Sequence, residues 1–146
     1  MAFMNRRGFA RIATAAVLSS FVAVVASSDA NARTRPIYNV VDSPLPAKPG
    51  VSMQQFERAI ITAGAVRGWA IRPASPGRLI AILNIRRHTA EVTITYTPAR
   101  FSITYETSHN LLYRKISETE YIHRNYNSWI RFLRDDITRA VGLIGN

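Results

Sequence analysis

Histidine is a common metal ligand and acid–base catalyst, and this chain has three, at positions 88, 109 and 123. Their spacing matches no short metal-ligand motif. His88 and His109 fall in predicted turns, whereas His123 falls at the start of a predicted helix. The sequence therefore predicts no metal site, and no motif in it indicates a cofactor.

Polar side chains flank the apolar stripe of the last predicted helix, which includes Tyr126 and Trp129. His123 and Asn127 lie on one side of this stripe, and Asn125 and Asp136 lie on the other. One interpretation is a small pocket, with His123 as acid or base and Asn125 as an orienting donor. The favoured interpretation is that these are boundary residues that hydrogen-bond to loop backbone.

No catalytic motif accompanies these side chains. A Gly-x-Ser-x-Gly nucleophile elbow is absent, and the glycines form no phosphate-cradling loop. A hydrolytic triad would need such an activated nucleophile. The sequence thus names no catalytic residue, and it favours a protein that is not an enzyme.

Arginines near the ends of predicted strands form a second candidate site. The whole chain has 19 basic and 9 acidic residues, a formal net charge of +10. Arg86, Arg87 and Arg100 are predicted at sheet ends, where lipopolysaccharide or an anionic glycan could bind. The basic residues are scattered, however, with no run longer than two. Such scatter favours a solvated positive surface over a dedicated polyanion site.

Nucleic acid is the less favoured anionic partner. Proteins that bind single strands place exposed aromatic side chains beside basic ones. Here Tyr96, Phe101 and Tyr105 share the predicted core face of their strands. Export from the cytoplasm, which the N-terminus predicts, also separates the protein from nucleic acid.

The N-terminus resembles an export signal. Three arginines precede an uncharged apolar run at residues 12–26, and Ala-Asn-Ala at residues 30–32 fits a signal-peptidase site. The run is shorter than the roughly 20 residues that span a bilayer, so cleavage is favoured over anchoring. Twin-arginine and general secretory export both stay open. We predict a signal peptide over residues 1–32 and a periplasmic or secreted location after cleavage near Ala32.

Cleavage would leave residues 33–146, which is the size of one small domain. This segment keeps 16 basic and 8 acidic residues, a formal charge of +8. The chain has no cysteine, so an apolar core has to supply the stability. Residues 33–50 contain four prolines and are predicted to be an extended arm. Residues 51–146 are predicted to form a single α+β domain.

Hydrophobic periodicity predicts one helix and then a set of strands. The helix begins after Ser52, which has capping-box spacing to Gln55, and it ends before Gly68. Gly64 is expected to allow close approach of a neighbouring element. Alternating apolar and polar residues predict strands joined by short turns at residues 78–86, 89–97 and 100–106, with a short strand at residues 70–72.

Residues 121–141 predict a second, strongly amphipathic helix, preceded by Ser117 and Glu120 at capping-box spacing. Trp129 is placed in the middle of its buried stripe. The predicted fold class is α+β, with an N-terminal helix, an antiparallel meander of three to four strands and a C-terminal helix. Both helices are expected to pack on one face of the sheet.

Several short motifs carry a resemblance to a known group. They are Ala63-Gly64, Arg67-Gly68-Trp69, Pro76-Gly77, Arg87-His88, Phe101-Ser102-Ile103-Thr104-Tyr105, Asn110-Leu111, and Ile122-His123-x-Asn125-Tyr126-Asn127-x-Trp129-Ile130. In these residues the chain resembles a group of small exported proteins and lipoproteins of proteobacteria. The resemblance implies a fold and an envelope location but no catalytic residue. The chain lacks the cysteine that is lipidated in the lipoproteins, which favours a freely soluble state.

Three hypotheses for function follow. The favoured one is a non-enzymatic binding or interaction module, whose partner is an envelope protein or an anionic envelope component. The alternatives are a small-ligand or catalytic site beside the C-terminal helix, and polyanion binding through the basic surface. No transmembrane span is expected in the mature chain, and the sequence carries no signal for its oligomeric state.

Overall fold

The computed structural model describes residues 32–46 and 49–144, which form an α+β fold. Two helices accompany antiparallel sheets of five and three strands, and this confirms the predicted fold class. The elements are β1 (Thr34–Pro36), β2 (Val40–Pro44), α1 (Met53–Ala65), β3 (Trp69–Ser75), β4 (Arg78–Ile85), β5 (His88–Tyr96), β6 (Arg100–His109), β7 (Arg114–Ile116), β8 (Thr119–His123) and α2 (Arg124–Gly142).

The predicted signal peptide lies almost wholly in residues 1–31, outside the described residues, so its cleavage stays a prediction. Within the described ranges, neither helix is long and apolar enough to cross a membrane.

The five-stranded sheet contains the predicted meander. Strands β3, β4, β5 and β6 follow one another through tight turns, and β2 completes the order β2-β6-β5-β4-β3. Alternate residues of β4, including Leu79, Ala81 and Leu83, are buried on the inner face. The short strand predicted at residues 70–72 is the centre of β3, which is an edge of this sheet.

Helix α1 starts as its sequence predicts. The backbone N–H of Ser52 donates to Gln55 Oε1 at 2.8 Å, and the Gln55 N–H donates to Ser52 Oγ at 3.3 Å, which completes the capping box. Gly64 allows close packing, because a Cβ there would lie 2.2 Å from Ile71 Cδ1 on β3. Gly68 adopts a φ of +83° beyond the helix end.

The start of α2 differs from its prediction. The capping box at Ser117 and Glu120 is wrong: β7 and β8 form a hairpin here, and Ser117 lies in its turn with a φ of +51°. Residues 119–123 form β8 rather than helix, because their backbone groups pair with both β1 and β7. The helix therefore begins at Arg124, with His123 as its N-cap.

Trp129 is not in the middle of the buried stripe of α2. The fully buried apolar residues of this helix are Tyr126, Ile130, Leu133 and Ile137. These four residues define the buried face of the helix. Trp129 lies at the edge of this face, and its indole is only partly buried against the core. Its position beside Phe132 leaves it lining a surface cavity of about 310 Å³.

The proline-rich arm is extended and adds an edge strand to each sheet. β1 pairs with β8, and β2 pairs with β6. Val40 and Leu45 of this segment belong to the buried core. The arm thus brings Arg35 and its neighbours next to the start of α2, since Arg35 pairs with Ile122.

Both helices pack on one face of the five-stranded sheet, as predicted. They contact each other, and α1 also contacts β3. Phe56 and Ile60 of α1 and Ile130 and Leu133 of α2 join the inner residues of β4, β5 and β6 in one apolar cluster. This cluster holds the N-terminal turn of α2 at the surface beside the arm.

Candidate functional site

A surface groove of about 640 Å³ lies between the arm and the first two turns of α2. We call it the arginine groove. One wall is formed by residues 35–38 of the arm, and the other by α2 residues on its exposed side. The α2 residues that line it are Arg124, Asn125, Asn127, Ser128 and Arg131.

Asn127 fixes the two walls to each other. Its Oδ1 accepts a hydrogen bond from the Tyr38 backbone N–H at 3.0 Å, and its Nδ2 donates to the Pro36 carbonyl at 2.8 Å. The side chain is 6% exposed. Both its donor and its acceptor are therefore occupied by backbone of the arm, and Asn127 positions the groove rather than contacting a ligand.

Three arginines surround the groove, and in the described ranges none of them forms an ion pair with a carboxylate. Arg131 lies over the Tyr38 ring, with its Cζ 4.6 Å from the ring centroid. Arg35 donates to the Thr34 carbonyl at 2.7 Å. The residues lining the groove include no aspartate or glutamate, so it concentrates positive charge.

Tyr38, the last residue of the arm wall, is held in place from two sides. Its hydroxyl accepts a hydrogen bond from Arg134 Nη1 at 2.8 Å, and Arg134 is itself paired with Asp135 at 2.7 Å. The Tyr38 side chain is thus fixed at its ring face by Arg131 and at its hydroxyl by Arg134. A fixed ring keeps the Arg131 guanidinium at the groove, because the cation is attracted to the ring face.

His123 caps α2 next to the groove. Its Nδ1 accepts the Asn125 backbone N–H at 3.2 Å, which requires that nitrogen to be unprotonated. Burial lowers the pKa of His123, and charge repulsion from the nearby His88, Arg124 and Arg33 lowers it further. The neutral imidazole thus serves as a structural cap, and Asn125 keeps its side-chain amide in the groove.

The histidines come together in part. The rings of His88 and His123 stack with their centroids 6.5 Å apart, a contact that no pattern in the sequence indicates. His88 Nδ1 also lies 2.7 Å from the Asn110 carbonyl oxygen. His109 does not join them as a third ligand, since no group of three metal-ligating side chains occurs in residues 32–46 and 49–144.

The predicted arginines of the sheet lie at opposite ends. Arg86 and Arg87 form the turn before β5, whereas Arg100 follows it. The nine residues of β5 separate them by about 30 Å. Arg100 donates to the Asp42 carbonyl at 2.9 Å, which ties it to β2.

The Arg86–Arg87 turn shares an end of the molecule with the arginine groove. Asn110 Nδ2 donates to the Arg87 carbonyl at 3.5 Å, and the adjacent Leu111 carbonyl accepts the His123 N–H at 2.8 Å. The two sites that the sequence proposed separately, at the α2 flank and at this turn, are thus linked through one loop.

Sequence reasoning missed the three groove arginines and Tyr38. Arg124 directly precedes Asn125, and Arg131 follows Asn127 by four residues, which is one helical turn. The helical spacing therefore indicates that these two arginines lie near the predicted asparagines. No sequence pattern indicates that Arg35 and Tyr38 lie there, because only the pairing of β1 with β8 brings the arm to α2.

The groove offers hydrogen-bond donors of two kinds. Guanidinium and amide donors point to recognition of an oxyanion. Ser128 is a hydroxyl in the groove, yet the lining residues include no histidine or carboxylate to activate it.

Comparison with known proteins adds no family: no protein-family model, no curated protein and no solved structure matches the chain. The resemblance to small exported proteins of proteobacteria stays a prediction.

Proposed function

We propose that this protein is an exported, non-enzymatic binding protein that takes an anionic group of the cell envelope into the arginine groove. The observation that carries the proposal is a groove of about 640 Å³ with three arginines and no acidic residue among its lining. The chemistry that fits is a phosphate monoester, carried either by a glycan or by a lipid headgroup.

The local charges favour an anion at this place. Helix N-termini stabilise negative charge, and an acidic side chain there typically contributes about 0.3–1 kcal/mol. Helix α2 has no acidic residue in its first turn and begins with Arg124 instead. A bound anion between Arg124 and Arg131 would offset this unfavourable arrangement, because it would neutralise the guanidinium groups and complement the helix dipole.

The donors suit a single compact group. Planar guanidinium forks bind phosphate oxygens in pairs, and Arg131 is already oriented by the Tyr38 ring. The Asn125 amide and the Ser128 hydroxyl add neutral donors in the same groove. A sugar ring or glycerol attached to the phosphate would extend along the arm wall, beside Ile37 and Tyr38.

The test is a calorimetric titration of the processed protein with a phosphorylated monosaccharide, with the unphosphorylated sugar as ligand control. Arg124→Gln with Arg131→Gln should lower affinity at least about tenfold, since each charge-assisted hydrogen bond contributes about 1.5–3 kcal/mol. Arg86→Gln with Arg87→Gln removes the same charge outside the groove and should cost less than about threefold. Binding that persists in the groove variant would contradict the proposal.

Two sources of the phosphate group can be separated in the same series. Vesicles containing phosphatidic acid present a phosphate monoester on a surface, whereas the sugar phosphate presents it free. Saturable, groove-dependent binding to the free sugar phosphate would favour a glycan. Groove-dependent binding to vesicles alone would favour a lipid headgroup.

The Arg86–Arg87 turn supports a second candidate function, which is binding of a long polyanion. It rests on the loop contacts that bring this turn to the same end of the molecule as the groove. A polymer crossing both would lose affinity in both double variants, and its binding would fall steeply with salt because counterions are released.

Export is part of the proposal. The basic region, apolar run and small-residue site of residues 1–32 support it, and a cut after Ala32 would remove neither strand of the arm. Intact-mass analysis of protein recovered from the periplasm or medium tests it. A mature chain that begins at Arg33 is expected, and an unprocessed mass would contradict export by cleavage.

A further inference from the structure

A second groove, of about 660 Å³, lies at the other end of β5 from the arginine groove. It is formed by the first turns of α1, the turn between β3 and β4, and the turn between β5 and β6. We call it the proline groove, because Pro73, Pro76 and Pro98 line it. Tyr96 lies at this end of β5, whereas His88 at the opposite end stacks on His123.

The walls of the proline groove are fixed before any ligand arrives. The Tyr96 N–H donates to the Gly77 carbonyl at 2.9 Å, which joins the two turns. Gly77 has a φ of +73°, and a Cβ there would lie 3.1 Å from the Tyr96 carbonyl oxygen, so the turns approach as closely as a glycine permits. Proline rings and a fixed turn lose little entropy on binding, which favours affinity.

The surface of this groove is mostly apolar. Proline rings form much of it, and Met53 contributes a flexible thioether that is 38% exposed. Met side chains adapt to differently shaped apolar ligands. No arginine or lysine is among the residues that line the proline groove.

One carboxylate stands among these apolar groups. Glu57 Oε2 accepts a hydrogen bond from the Tyr96 hydroxyl at 2.8 Å, which orients the carboxylate. Burial, with the nearby Glu57, raises the pKa of Tyr96 to about 12, so the phenol remains a donor at neutral pH. Within the described residues Glu57 has no basic partner.

After residue 32 the chain has eight carboxylates, and four of them form no ion pair in the described residues: those of Asp42, Glu57, Glu91 and Glu120. Four other carboxylates, those of Glu106, Glu118, Asp135 and Asp136, each contact an arginine or lysine. Glu57 differs from them in lying at a groove that excludes these side chains and offers apolar surface instead. Its charge is complementary to a cation that also carries an apolar body.

We propose that the proline groove binds a small organic cation of the alkylammonium class. The Glu57 carboxylate pairs with the ammonium group, and the proline rings and Met53 cover the hydrocarbon body. This site is separate from the arginine groove and opposite to it in charge, so the inference does not depend on the proposed function.

The test uses n-hexylammonium as the probe and 1-hexanol as its neutral match, each titrated into ¹⁵N-labelled processed protein. Amide shifts of Glu57, Gly77 and Thr97 report on the groove. Hexylammonium should bind about tenfold more tightly than hexanol, because only the cation forms a charge-assisted hydrogen bond. Glu57→Gln should remove that difference, whereas Glu91→Gln, at a carboxylate on the outer face of the sheet, should retain it.

Tyr96→Phe is a second variant that keeps the ring and removes the hydroxyl that orients Glu57. It should weaken hexylammonium binding about two- to fivefold and leave hexanol unchanged, because only the carboxylate geometry is altered. Equal binding of the two probes by the wild type would overturn the proposal, even if Glu57→Gln failed to fold. Unchanged ammonium binding in a folded Glu57→Gln variant would overturn it as well.

Discussion

Asn127→Ala tests whether one side chain holds the arm against α2. In the folded protein the Asn127 amide pairs with the Tyr38 N–H and the Pro36 carbonyl, at 3.0 and 2.8 Å. Alanine removes both bonds and leaves those two backbone groups without this partner. The arm should then detach more easily, and with it the wall of the arginine groove that contains Tyr38.

The size of the effect follows from the two hydrogen bonds. Each is expected to contribute about 1 kcal/mol net, and a group left unpaired costs more where water cannot reach it. Both bonds are only partly buried, so water replaces them in part. We therefore expect a loss of about 2 kcal/mol, which is a large fraction of the roughly 5–15 kcal/mol that stabilises a small domain.

Asn125→Ala is the matched control in the same helical turn. The Asn125 side chain is exposed and makes no hydrogen bond within the described residues, and the Asn125 backbone N–H donates to His123 Nδ1. Its replacement should change the free energy of unfolding by less than about 0.5 kcal/mol. Urea denaturation followed by tryptophan fluorescence measures both variants. Equal stabilities of Asn127→Ala and Asn125→Ala would refute the role given to Asn127.

Three further changes probe the helices. Trp129→Ala should cost about 1–3 kcal/mol in urea denaturation, less than the about 3–5 kcal/mol of a buried tryptophan, because the indole is partly exposed; a larger loss would show that it is buried. Tyr126→Phe should be neutral or stabilising by up to about 1 kcal/mol, since the buried Tyr126 hydroxyl has no hydrogen-bond partner in the described residues; destabilisation would reveal one. Arg67 beside Asp136 lowers the pKa of that carboxyl. The stability that the Arg67–Asp136 pair contributes is therefore present above the unfolded pKa of about 3.9 and is lost as pH falls through the folded pKa. The free energies of unfolding of the wild type and Asp136→Asn should converge in acid. A difference that stays constant with pH would contradict the ion pair.

The meander and the first helix were accessible to sequence reasoning because their signals are local. Alternation in β5 and the capping box at Ser52 depend only on neighbouring residues. The hairpin of β7 and β8 was not accessible, since Ser117 and Glu120 also fit a helix start. Ser117 lies in the hairpin turn and Glu120 in β8, and β8 pairs with β1, which comes from the other end of the described residues.

The candidate site was predicted only in part, for the same reason. Asn125 and Asn127 were identified from their position beside the apolar stripe of α2. Arg35 and Tyr38 were not, because residues about 90 positions apart in sequence meet through the pairing of Tyr38 with Asn127. The contact between His88 and His123 depends likewise on the loop that joins β6 to β7.

The most direct test of the central claim is to map where a phosphate group binds. The ¹⁵N-labelled processed protein should be titrated with the phosphorylated monosaccharide and its amide shifts followed by NMR. Low salt is used because it leaves the electrostatic attraction unscreened and therefore measurable. We expect saturable shifts in the amides of residues 35–38 and 124–131, and none in residues 73–77 of the proline groove. Shifts confined to the Arg86–Arg87 turn, or no saturable shift at all, would contradict an anion site in the arginine groove.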